Sequence, residues 1–106
     1  MNNNKSATME MTGYEPLTCF WALFSAVDIL GEKMIKYAYS EAVTYAKTNY
    51  KFLTELVMVL NHKIWQHYKT NETIARLYNN LWMKLHDECL NTLKDKELEY
   101  YLRILD

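Results

Sequence analysis

The stretch LTELVMVLNHKIWQHYK, residues 53–69, decides the fold. Its apolar letters do not alternate with period two, so a strand is not indicated. On a wheel of roughly 100° per residue, Leu53, Leu56, Val57, Leu60, Ile64, His67 and Tyr68 fall on one arc. The spacing predicts a helix that starts near Tyr50, capped by Thr48 or Asn49, and runs to about Lys69, with that arc toward the core.

The surrounding chain reads the same way. Two glycines, Gly13 and Gly31, and one proline, Pro16, leave too little turn chemistry for a sandwich or barrel of short strands. Pro16 stands where a first helical turn accepts it, and Phe20, Leu23, Phe24 and Val27 follow at helical spacing up to a stop or kink at Gly31. A second helix is expected from about Glu32 to Lys47, with Ile35, Ala38, Tyr39, Ala42 and Ala46 on one stripe. Asn71 can cap a helix to about Leu93, whose stripe is Ile74, Leu77, Tyr78, Leu81, Leu85 and Cys89. Asp95 is expected to cap a short last helix ending near Leu105. Short connections make consecutive helices antiparallel neighbours. The expected fold is all-α, a compact bundle of four to five helices in one domain over residues 16–106, preceded by a flexible arm at 1–15 that is poor in large apolar groups.

With 106 residues, the chain buries only slightly more than roughly 60% of the surface its unfolded form exposes, so pairing as a homodimer would help it. Twelve basic residues against thirteen acidic ones provide no global field to gather nucleic acid or an anionic membrane. No apolar run approaches a membrane span, and the first residues lack a secretory h-region. Cys19 and Cys89 belong to no CxxC pair, as expected of reduced thiols. These features describe a soluble, cytoplasmic protein.

Residues that look like chemistry separate once placed on helices. His62 and His67 are five residues apart and diverge by roughly 140°, so they do not share one metal. Val59, Ile64 and Met83 precede His62, His67 and His86 by three, where a bundle di-iron motif needs glutamate. His67 is expected as a core-edge imidazole bonded to a neighbouring helix, and His62 as a solvated residue. In HDEC, residues 86–89, Cys89 turns inward with Leu85 while Asp87 turns outward. No serine or cysteine lies in a nucleophile motif, and two isolated glycines build no phosphate loop. The reading names no catalytic residue, no metal ligand and no cofactor, and expects no enzyme activity.

The expected central helix is also apolar outside its core arc. Met58 and Trp65 lie seven apart on one flank, and Phe52 and Val59 seven apart on another. A helix apolar around so much of its circumference is covered on more than one side, either inside the bundle or by a partner. Met58, Trp65, Phe52 and Val59 are therefore the candidate partner-binding residues, with Trp65 the discriminating one because tryptophan is favoured as a binding anchor. Trp21 and Trp82 flank their own stripes as seams between helices. A minor alternative is nucleic-acid binding, since Lys47 and Lys51 in KTNYKF, residues 47–52, interleave basic and aromatic groups.

The run NYKFLTELVMVLNHKIWQHY, residues 49–68, with YEPLTCFW at 14–21, ARLYNNLW at 75–82 and YYLRILD at 100–106, resembles small uncharacterised proteins carried by prophages and conjugative elements of gut bacteria. The likeness covers residues 14–106. That pattern often has an acidic residue where this chain has Leu23 and a glycine where it has Asp95, which marks the chain as divergent. The resemblance implies no activity and carries over no site residue. It implies a setting in which small proteins bind host machinery, so the expected function is a non-enzymatic protein-binding module, an anti-CRISPR-like or other anti-defence inhibitor. The alternative is a small nucleic-acid-binding regulator.

Overall fold

The computed structural model describes residues 14–105. It contains five α-helices and no strand among those residues: α1 Tyr14–Leu30, α2 Ile35–Ala46, α3 Tyr50–His67, α4 Glu72–Thr92 and α5 Asp95–Leu105, with a 3-10 turn Glu32–Met34 ahead of α2. The first helix starts at Tyr14, two residues before Pro16. The rest of the expected arm lies outside the described residues.

Local chemistry sets the breaks. Gly31 adopts φ 104 and ψ 169, a backbone conformation that side chains with a Cβ rarely enter, and it ends α1. Asn49 caps α3, its Oδ1 accepting from the Lys51 amide at 2.9 Å. Asn71 caps α4 in the same way, accepting from the Ile74 amide at 3.2 Å. The start of α5 differs from expectation. The amides of Glu97 and Leu98 bond to the carbonyl of Lys94, so Lys94 stands at the cap, while Asp95 sits inside the first turn at φ 51.

α3 is the central element and packs against all four other helices, most extensively against α4. Its Leu56, Val57, Val59 and Leu60 meet Phe20, Phe24 and Val27 of α1, the Ala38–Ala42–Ala46 stripe of α2, and Tyr78, Leu85 and Cys89 of α4 in one core. Each fully buried Leu, Val or Phe contributes about 1.5–3 kcal/mol relative to exposure. The small side chains of α2 let it approach closely, as their alanine content implies. No described helix is long and apolar enough to cross a membrane.

Candidate functional site

Two features meet near the C-terminal half of α3. The first is a polar knot. Lys63 is 2% exposed. Its Nζ donates to Asp28 Oδ2 of α1 at 2.7 Å, and His67 Nε2 donates to Oδ1 of the same carboxylate at 3.1 Å. The Lys63 ammonium also stands 5.6 Å from the centre of the Trp21 ring, and the His67 ring stacks on Tyr78 at 5.8 Å. Burial first, and then the Asp28 charge, pushes the Tyr78 hydroxyl well above the usual phenol range, and that hydroxyl is buried without a partner.

His67 therefore bonds to a neighbouring helix, as expected of a core-edge imidazole. The same carboxylate accepts from both side chains, so the knot ties α1 to α3. It forms one wall of an open hollow of about 340 Å³, lined also by Glu32, Asn71, Thr73 and Ile74. Among the described residues, no three His, Cys, Asp or Glu side chains gather closely enough to hold a metal ion.

The second feature is an apolar face. Trp65 is 65% exposed and Met58 45% exposed, and Tyr68 lies open beside Trp65 with ring centres 5.4 Å apart. Met58, Asn61, His62 and Trp65 of α3 line a hollow of about 250 Å³ together with Ile104 and Leu105 of α5. His62 is exposed, as expected, but its ring meets Trp21 edge-on at 5.1 Å, so the wall nearest α1 is aromatic.

The other expected flank is closed. Val59 is 1% exposed, and Phe52 is half-buried, stacked on Tyr45 of α2 at 5.4 Å. Val59 therefore packs inside the bundle, and Phe52 is partly covered by α2. Tyr68 departs in the opposite direction: expected on the core arc, it is exposed at the C-cap of α3, where its backbone still holds helical dihedrals.

The remaining candidates are structural. His86 stacks on Trp82 at 4.8 Å and shares a hydrogen bond with the Tyr101 hydroxyl. Cys89 is buried beside Tyr101, and burial pushes its thiol up to about 11. Asp87 faces solvent, so HDEC divides as its helical spacing requires. Cys19 is exposed, its thiol raised by partial burial and by Glu41.

Sequence reasoning missed Asp28, Lys63, Ile104 and Leu105. Lys63 follows Leu56 by seven residues and so lies within about 20° of it on the wheel, which was a usable signal. Lysine is seldom buried unless paired, and the partner of Lys63 is 35 residues away, beyond the reach of helical periodicity. No family model, curated protein or solved structure matches the chain.

Proposed function

We propose that the protein is a non-enzymatic protein-binding module that engages its partner through the Met58–Trp65 face, acting in the cytoplasm. The carrying observation is the 65% exposure of Trp65 above a concave apolar hollow. Large apolar groups gathered at one surface site mark interaction surfaces, and tryptophan is enriched among residues that dominate binding energy. The resemblance to proteins of prophages and conjugative elements supports an inhibitor of host defence as the setting.

Affinity capture from the host cell with the wild-type chain and Trp65→Ala, read by mass spectrometry, tests the reading. A partner recovered by the wild type and lost with the variant is expected. Recovery of the same partners at the same strength excludes Trp65 as an anchor. A light-scattering mass in parallel shows whether a second copy covers the face.

One observation favours the nucleic-acid alternative. The fold brings Tyr100 of α5 against Tyr50 at 5.6 Å and under Lys51 at 6.0 Å, joining aromatic and basic groups that are distant in sequence. Salt-dependent retention on DNA or RNA is its test.

A further inference from the structure

We infer that the groove along the outer face of α3 receives an amphipathic helix of a partner protein, one that carries acidic residues beside its apolar anchors. The inference rests on the reading of this face as a protein-binding surface, and adds the partner's shape and charge.

Shape comes from the helix itself. Met58 and Trp65 are seven residues apart, so they lie nearly in line and about 10.5 Å apart along the axis. Asn61 and Tyr68 repeat the interval beside them. The exposed side chains thus recur at i, i+3, i+7 and i+10, the seam against which another helix packs. Ile104 and Leu105 of α5 share a hollow with Met58, Asn61, His62 and Trp65, and Trp65 and Tyr68 remain exposed. Strand addition has no edge to use, since the described residues form no sheet, and the helical spacing of the seam matches helix-in-groove recognition. The aliphatic walls supplied by Met58, Ile104 and Leu105 suit a branched side chain better than a flat base.

Charge comes from which residues flank the seam. From Leu56 to Asn71 the chain has no Asp or Glu. Exposed Lys51 lies two turns before Met58 on the same line, and exposed Lys69 follows Trp65 by four residues. The one acid of α3, Glu55, is half-buried, with burial shifting its carboxyl toward the neutral form. The acids of α5 line other hollows, Glu97 beside Lys47 and Glu99 beside Leu102. An apolar seam bracketed by lysines complements a helix with flanking carboxylates and repels one with flanking lysines. Two exposed lysines are too few to track a phosphate backbone, which sets the protein partner ahead of nucleic acid.

The test is a random peptide library displayed on phage and panned on the full chain, with Trp65→Ala as counter-target. The most enriched peptide is then synthesised, together with a version whose acids are replaced by lysine, and binding is followed by fluorescence anisotropy. Enriched sequences should place apolar residues at helical spacing with Asp or Glu beside them. Binding of the acidic peptide should fall at least about tenfold with Trp65→Ala. It should fall similarly with the double variant Lys51→Glu, Lys69→Glu, which should now prefer the lysine peptide. Circular dichroism confirms that each variant is folded. Trp65-dependent peptides without acidic bias, or equal binding of the lysine version, overturn the inference and leave the protein-binding reading intact. An absence of Trp65-dependent peptides also overturns it, and the protein-binding reading falls as well if no captured partner depends on Trp65. Trp65-dependent binding of a fluorescent oligothymidylate would transfer the face to nucleic acid.

Discussion

Lys63 and Trp65 are two residues apart on one helix, yet the charged side chain is 2% exposed and the aromatic one 65%. By hydropathy alone their places would be exchanged. The difference lies in what stands opposite. Lys63 faces α1, where Asp28 accepts its hydrogen bond and Trp21 stands over its ammonium; Trp65 faces an open hollow that α5 only borders. Burial on a helix is set by the neighbour as much as by the residue.

The comparison can be broken from either side. The largest effect is expected at the shared foundation, because Leu60 is fully buried on α3 between the two regions. Leu60→Ala should cost about 2–5 kcal/mol in urea unfolding by the combined transfer and cavity terms. Next comes the knot. Asp28→Asn strands a buried ammonium and should cost about 2–3 kcal/mol, below the full cost of breaking a buried pair because the Asp28 side chain is 27% exposed. Adding Lys63→Met should recover most of that loss, since an apolar side chain of similar length needs no counter-charge. No recovery in the double variant would show that Asp28 acts mainly through His67.

Trp65→Ala should change unfolding stability by no more than about 0.5 kcal/mol, the usual range for exposed positions. A loss of several kcal/mol would mean that Trp65 is packed and that the two regions are alike. The smallest effect concerns Glu55. Burial raises its folded-state carboxyl above the unfolded value, so its ionisation destabilises the fold as pH rises through that range. Glu55→Gln should raise the melting temperature slightly at pH 7, and the gain should vanish at about pH 3, where folded and unfolded carboxyls are both protonated. Melting curves at the two pH values check this.

Much of the fold was legible. Asn49 and Asn71 are side-chain caps, Gly31 takes the positive φ that stops α1, and the stripes of α2 and α4 face the core, with Tyr39, Leu77 and Leu81 half-buried at its edge. These features are local: a cap or a stripe is complete within a few residues. Asp95 was misplaced by one residue because the cap is defined by which carbonyl takes the first helical bonds, here that of Lys94. The candidate site was only half legible. The wheel showed that Met58 and Trp65 share one flank and Phe52 and Val59 another, but both flanks are apolar and periodicity has no means of choosing between them.

The amino-acid sequence by itself determined an all-helical chain of four to five helices, the Asn49 and Asn71 caps and most of each core stripe, because helix formation, capping and amphipathic patterning act over a few residues. Only the tertiary structure decided that α2 closes over Phe52, that Asp28 permits Lys63 to be buried, and that Trp65 remains uncovered. Those outcomes depend on pairings between distant residues, and the spacing of letters along one helix does not encode which neighbour fills each side.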